Sequence, residues 1–448
     1  MPAPVNRQKI GQINSWLLAL LAFSLPLSTS AISVLSLLVL ACWFVEGRYR
    51  DKLREVIANP VCMAVLFYLA LYVVGLLWSE NKAAGLTMIG RQWKLLLLPV
   101  FMTAGRREDR RLYVGSFLAG MTVAMLITYL VWFGLLHYAD VSPEHLTKGT
   151  FHVVYNPMLA FAIYLLLHEF IWGVTRGWRR WFVLGLAALM VFDMFITKGR
   201  AGQMAFFVLL GLLLFQILRK NIVLACLLTI FVLPATFTAG YLFSPTFHGR
   251  VQQARSDIAR FHVDPKTSVG LRLLYWKNSW EMIKSAPWLG VGTGDFQDAY
   301  AKLNKKLSPQ VGVTDNPHNQ YVLVQCQLGL LGLAALLGIF LLQFRQAFTL
   351  RDGWERIRVA FPLFFLTIML TESYLIVYET GFLFSLVSAV LYRLPGKPPP
   401  APHLHAVAPA RIEGLPESPF GRLPANGSDY VNLWHLWRLT GWMQVSTL

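Results

Sequence analysis

The chain alternates long apolar blocks with short polar breaks. Read in windows of roughly 20 residues, the length a helix needs to cross a bilayer, the blocks predict about twelve transmembrane helices. They fall near 13–29, 31–46, 61–78, 88–104, 112–136, 153–172, 181–197, 202–218, 221–243, 318–343, 358–376 and 378–393. The first block follows Arg7 and Lys9 and ends in Ser28-Thr-Ser-Ala31, like a signal peptide, but the second block follows at once and favours an uncleaved anchor. Pro26, Pro99, Pro157 and Pro362 interrupt blocks, as membrane helices tolerate where neighbours satisfy the freed backbone groups.

The polar breaks alternate in charge. One set carries Arg48, Arg50, Lys52 and Arg54, then Arg106, Arg107, Arg110 and Arg111, then Arg176, Arg179 and Arg180, then Arg219 and Lys220, then Arg345, Arg351, Arg356 and Arg358. The intervening short breaks carry few cations, so the basic set is predicted to be cytoplasmic and both termini to lie inside. Residues 1–243 then hold helices one to nine, 244–317 a large outer loop domain, 318–393 the last three helices and 394–448 a Pro-rich cytoplasmic tail. The loop has ten Lys/Arg against six Asp/Glu; long loops translocate largely regardless of charge, and a loop this long inside a compact protein is usually functional. At the end of the tail, Leu433, Trp434, Leu436, Trp437, Leu439 and Trp442 suit a short helix on the membrane surface, with a weakly ordered end as the plainer reading.

Composition agrees with the pattern. Apolar residues make up 56% of the chain and charged residues 14%, against about 25% charged in soluble domains. The formal charge of +17 is accounted for by topology, so nucleic acid is not an expected partner. Cys42, Cys62, Cys226 and Cys326 lie in or beside apolar blocks with no zinc spacing, which argues against a disulfide framework or a structural metal.

Candidate chemistry concentrates in and beside the long loop. Gly270–Ser285 reads as a helix with Leu273, Trp276, Trp280 and Ile283 along one face, a stripe expected to pack on the membrane helices or dip into headgroups. Pro287 ends it, and the following Gly-Val-Gly-Thr-Gly294 suits a tight reversal better than a dinucleotide site. In Thr314-Asp-Asn-Pro-His-Asn-Gln-Tyr321, Asn316 suits an N-cap and Pro317 the first helical position. His318 would then stand in the first turn, where the helix dipole favours an anion and disfavours imidazolium. Interfacial packing or capping is the plain alternative for a lone histidine.

Arg200 follows Gly199 at a hairpin tip where a helix is expected to start, and otherwise reads as a snorkelling cation. Arg272, and the run Arg250, Arg255 and Arg260, read individually as solvated charges. No DxD or Walker A sequence is present, and His137, His145 and His152 match no compact metal motif. Glu372 and Glu379 flank the last connection, where solvation or a helix-end role is at least as natural as lining a cavity.

Taken together, these features resemble the O-antigen ligase and polymerase superfamily of bacterial envelope biogenesis. The resemblance rests on the span layout, the large late loop, and three signatures: Thr197-Lys-Gly-Arg-Ala-Gly202; Gly270-Leu-Arg272 with its Pro-x-x-Gly-x-Gly-x-Gly turn; and Asn316-Pro-His-Asn-Gln-Tyr321 with Gly329-Leu-Leu-Gly332 downstream. The family's first signature often reads Ser-Arg-Gly, whereas Gly199 precedes Arg200 here. The resemblance implies a glycosyltransferase of the bacterial inner membrane, acting on its periplasmic face without cofactor, metal or ATP. The donor would be a glycan on undecaprenyl diphosphate and the acceptor a sugar hydroxyl of lipid A–core, with inversion at the anomeric carbon. Arg200 and Arg272 would bind the diphosphate and His318 would act as general base, with Asn319, Lys198, Arg250 and Arg255 as accessory candidates. An O-antigen polymerase or a protein O-oligosaccharyltransferase would share these signatures. A secondary transporter is the rival from another class, though charged residues within spans are few and no inverted repeat is apparent.

Overall fold

The structure, a computed structural model, describes residues 7–137, 141, 146 and 152–395. His145 and the tail from residue 396, with its aromatic end, lie outside the described residues. The chain runs through α1 (Arg7–Ser24), α2 (Thr29–Glu46), α3 (Tyr49–Ala58), α4 (Pro60–Val74), α5 (Lys82–Arg91) and α6 (Leu97–Ala104). It continues through α7 (Arg110–Trp132), α8 (His152–Trp172), α9 (Trp178–Ile196), α10 (Arg200–Ile217) and α11 (Ile222–Phe243). The long segment holds α12 (Pro245–Ala259), α13 (Ser268–Ser285) and α14 (Phe296–Leu307). The last helices are α15 (Gln320–Thr349), α16 (Glu355–Ile368) and α17 (Tyr378–Tyr392).

Two helices show why this protein belongs in a bilayer. Almost every side chain of α8 between Val154 and Leu166 is buried, against α7, α9, α10 and α16. By contrast α11 is apolar along its length and turns most of it outward, with Phe243 85% exposed. Lipid, not water, is the solvent that suits such a surface. Among the described residues, seven helices are long and apolar enough to cross a membrane: α2, α4 extended to Leu77, α7, α8, α10, α11 and α15. The protein is therefore an all-α polytopic membrane protein.

Some expected spans are shorter or interrupted. The block 88–104 is α5, a 3-10 turn over Trp93–Leu96 and α6. Buried Lys94 interrupts it, donating to the carbonyls of Arg91 and Ile376. The block 358–376 stays helical only to Ile368, leaving 369–377 as a connection that becomes important below.

The basic breaks meet at one end of the helices. Asp352 accepts from Arg107, Arg110 and Arg358 at 2.6, 2.6 and 2.5 Å, and Arg393 pairs with Glu55 at 2.6 Å. Arg356 stacks over Trp172, and its carbonyl accepts from Gln216 near the end of α10. Arg200 begins α10, so it stands at the opposite end of that helix.

At Gly329, α15 breaks (φ 60°, ψ −157°) in a conformation costly for any residue with a Cβ. The freed carbonyls of Cys326 and Gln327 accept from the N–H groups of Val291 (2.8 Å) and Gly292 (3.0 Å). Leu330 N–H donates to the Pro287 carbonyl at 2.8 Å, and Leu331 N–H to that of Trp288 at 3.3 Å. The glycine-rich turn after Pro287 is thus more than a reversal. It is a strap whose backbone completes the broken helix, which is how irregular backbone becomes tolerable at membrane depth.

Candidate functional site

The site is built from three segments remote in sequence. In the first, Asn156 Nδ2 on α8 donates to Thr197 Oγ1 at 3.0 Å, and Thr197 Oγ1 donates to the Asp193 carbonyl at 2.7 Å. This fixes the hairpin from which α10 starts at Arg200. A Cβ on Gly199 would stand 2.4 Å from Asn156 Cγ, so the glycine before Arg200 is explained by the asparagine packed on it.

The second segment supplies two more arginines. Ser244 caps α12, with Pro245 in its first turn, and Thr267 caps α13. Gln253 Oε1 accepts from both Arg200 Nη2 (3.2 Å) and Arg250 Nη1 (2.9 Å), and so spaces the two guanidinium groups. Arg200, Arg250 and Arg272 all line one cavity of about 190 Å³, closed by Trp276, Thr371 and Tyr374 among others. The Nε atoms of Arg200 and Arg250 are buried without a hydrogen-bond partner. Burial, then the nearby Arg272, lowers the Arg250 pKa from its ordinary value, against which Asp257 acts. Cations crowded this way are relieved by an anion, and guanidinium forks match phosphate oxygens. Of the accessory candidates, Arg250 joins the cluster, whereas exposed Arg255 and half-buried Lys198 are not among the lining residues.

The third segment carries His318. The helix was expected to start after Asn316; it starts at Gln320 instead, with Asn319 as the cap accepting from the N–H groups of Tyr321 (3.0 Å) and Val322 (3.2 Å). Asn316 is unavailable as a cap because its side chain is used elsewhere. Its Oδ1 accepts from His318 N–H at 3.0 Å and from Ser373 Oγ at 2.8 Å, and its Nδ2 donates to Glu372 Oε1 at 2.6 Å. His318 therefore precedes the helix, in a left-handed conformation (φ 52°) that asparagine and histidine tolerate better than most residues. The dipole argument loses its geometric basis here. The side chain of Asn319 is committed to capping and to the Leu370 carbonyl (3.2 Å).

What faces the imidazole is Glu372, with Oε2 at 2.6 Å from Nδ1. Burial pushes the Glu372 carboxyl up, but the hydrogen bonds from His318, Ser373 and Asn316 outweigh it and hold the pKa below the ordinary value. An ionised carboxylate can only accept, which assigns a hydrogen to Nδ1; in the neutral tautomer the lone pair is then on Nε2, available to a reacting group. The side chain of His318 is 36% exposed, so that nitrogen is reachable. Fifty-four positions separate the two residues, and a glutamate between two apolar blocks carries no local mark of such a role.

α13 joins the cation cluster to the histidine. Trp276, one turn beyond Arg272, lines the cavity and donates from Nε1 to the Pro317 carbonyl at 2.8 Å. Tyr275 stacks beside His318 with ring centroids 6.2 Å apart, and Thr371, next to Glu372, also lines the cavity. His318 itself is not among the lining residues; it stands beyond that wall. The stripe expected on this helix is kept in part and partly rotated. Ile283 is buried and Leu273 and Trp276 are half-buried in the cavity wall, but Trp280 is 55% exposed and Leu274, Asn278 and Met282 are buried in its stead. The reason is polar: Asn278 Nδ2 donates inward to Tyr300, Asn304 and Ser308 on and after α14, a network that hydrophobic spacing cannot reveal.

Residues 185–337 match the family model described as O-antigen ligase. A protein of Haemophilus influenzae, described only as an uncharacterized protein, is 28% identical over 218 residues, which covers 46% of this chain and 52% of the relative. The chain thus spans about half the length of that curated relative.

Proposed function

From the match of residues 185–337 to the O-antigen ligase family model, we propose that the chain acts as a member of that superfamily and transfers a glycan from undecaprenyl diphosphate to a sugar hydroxyl of lipid A–core. The observation that carries this reading is the three-arginine cavity adjoining an oriented His318–Glu372 pair, the two joined through Trp276 and Thr371. His318 Nε2 takes the proton of the acceptor hydroxyl as its oxygen bonds to the anomeric carbon from the face opposite the leaving group. The anomeric C–O bond to the diphosphate breaks, and its electron pair leaves on undecaprenyl diphosphate, where Arg200, Arg250 and Arg272 meet the developing charge. Glu372 acts through His318, as a positioning residue. The energy comes from the sugar–diphosphate bond, so the reaction draws on neither ATP nor a nucleotide sugar.

In this reading the protein lies in the bacterial inner membrane with about twelve crossings and the basic breaks in the cytoplasm. Residues 244–317 form a periplasmic domain, and the arginine cavity opens on the periplasmic face.

The test uses purified full-length protein in lipid with the lipid-linked glycan and lipid A–core, without ATP and with EDTA, products being resolved by gel and mass spectrometry. Glycan is expected on lipid A–core. His318→Ala is expected to lower transfer by about 10²–10⁴-fold, the usual contribution of general base catalysis, with folding retained. Glu372→Gln should depress turnover more than acceptor KM and change the pH–rate profile, which loss of packing alone would not do. Longer lipid-linked glycan with unmodified core would replace this reading by that of a polymerase, and solute flux without transfer by that of a transporter.

A further inference from the structure

The end of the molecule away from the glycan site holds a second polar cavity. It has a volume of about 350 Å³ and lies between α7, α8 and the 352–357 stretch that leads into α16. Arg111, His168, Trp172 and Trp354 line it. The two carboxylates in its wall are already engaged. Asp352 is held by Arg107, Arg110 and Arg358, and Glu169 Oε1 accepts from the N–H of Val174 and the hydroxyl of Thr175. Among the described residues Arg111 is the one cation in the lining, but Arg107, Arg110 and Arg358 on Asp352 and Arg356 on Trp172 stand around it, so the cations beside the cavity outnumber its two carboxylates. His168 is only 8% exposed, and its buried Nε2 has no hydrogen-bond partner. An unpaired polar atom at that depth is costly unless a ligand completes it.

Val114, Leu165 and Ile357 belong both to this cavity and to a narrow apolar slot that continues inward beside Phe117, Phe161 and Leu386. A mouth ringed by cations and two tryptophans, with an apolar wall of Val114, Leu165 and Ile357, is complementary to an amphiphile: an anionic head at the level where interfacial aromatics sit, and a hydrocarbon chain along that wall. The slot behind the wall, about 20 Å³, is too narrow to take the chain. We propose that this cleft is a specific site for an anionic phospholipid, with the phosphate on Arg111 and His168 and an acyl chain entering along Val114, Leu165 and Ile357.

Gly115 provides a clean probe. It lines the mouth, and a Cβ built on it meets nothing within 4 Å, so a bulky side chain there blocks the cleft without crowding the fold. Full-length protein in neutral detergent is titrated with phosphatidylglycerol, with phosphatidylcholine of the same acyl chains, and with inorganic phosphate, followed by native mass spectrometry and thermal unfolding. Saturable binding of one phosphatidylglycerol is expected, with a raised melting midpoint and little response to phosphatidylcholine. Arg111→Gln and Gly115→Trp, both at exposed positions, should weaken that binding by at least about tenfold, the worth of one charge-assisted contact, and His168→Gln should do likewise. Equal retention of both lipids would overturn the proposal, as would unchanged phosphatidylglycerol affinity in Arg111→Gln and Gly115→Trp. Inorganic phosphate binding as tightly as the lipid would overturn it in favour of a free-anion site.

Discussion

Two arginine clusters stand at opposite ends of α10, alike in composition and unlike in how their donors are used. At the basic end Arg107, Arg110 and Arg358 close on one carboxylate, Asp352, and Arg358, fully buried, also donates to the Leu391 and Leu350 carbonyls. At the other end Arg200 and Arg250 share the neutral oxygen of Gln253 and keep buried Nε atoms unpartnered, with Arg272 in the same cavity wall. The first cluster is complete as it stands and ties α7, α16 and the end of α17 together. The second is incomplete, and the diphosphate of the proposed donor would complete it. Residue type does not separate a structural cation from a binding one; the ratio of donors to acceptors around it does.

Exchange experiments should separate the clusters by readout. The largest effect is expected for Asp352→Asn, which strands three cations, one of them in the core. Breaking such a buried pair costs about 3–5 kcal/mol, seen as a lowered unfolding midpoint, while transfer per folded molecule persists. Unchanged stability would mean that the three arginines are not held by that carboxylate. Arg200→Ala and Arg272→Ala are expected to do the opposite. Each should lower turnover by about 10²–10³-fold, as removal of one transition-state donor does, with the melting midpoint nearly unmoved. A variant that lost stability instead would move that arginine into the structural class.

A smaller effect tests the hairpin that aims Arg200. Gly199→Ser places a Cβ against Asn156 and should cost about 1–3 kcal/mol from overpacking, recovered in part by adding Asn156→Ala. Equal melting of Gly199→Ser and wild type would show that Asn156 yields easily. The smallest effect concerns pH. Burial raises the Asp352 carboxyl and its three arginines more than reverse this, so its pKa lies below the ordinary range. Its stabilising contribution is present above the unfolded value of about 3.9 and is lost only as pH falls through the lower folded value. The stability gap between wild type and Asp352→Asn should therefore stay flat from pH 7 to about pH 5. A gap that closed within that range would contradict the assignment.

The misread helix start shows where local rules run out. In Asn-Pro-His-Asn-Gln, Pro317 favours Asn316 as the cap by propensity. The structure caps the helix with Asn319 instead, because Glu372 and Ser373, on another segment, take up the side chain of Asn316. The rotated face of α13 has the same origin, since an asparagine among apolar neighbours marks the buried side only once Tyr300, Asn304 and Ser308 are there to receive it.

The bilayer character, the approximate position of the helices, the segregation of basic breaks and the residue types of the site were all present in the chain itself. Burial in lipid imposes length and hydropathy on each segment separately, and arginine, histidine and glycine signatures are local. The Glu372 partner of His318, the recruitment of Arg250 beside Arg200, and the repair of broken α15 by the strap from Pro287 were decided only in three dimensions. Hydrogen bonds and charges act through space at about 3 Å, whatever the distance along the chain, so their pairing becomes definite only when separate helices are packed.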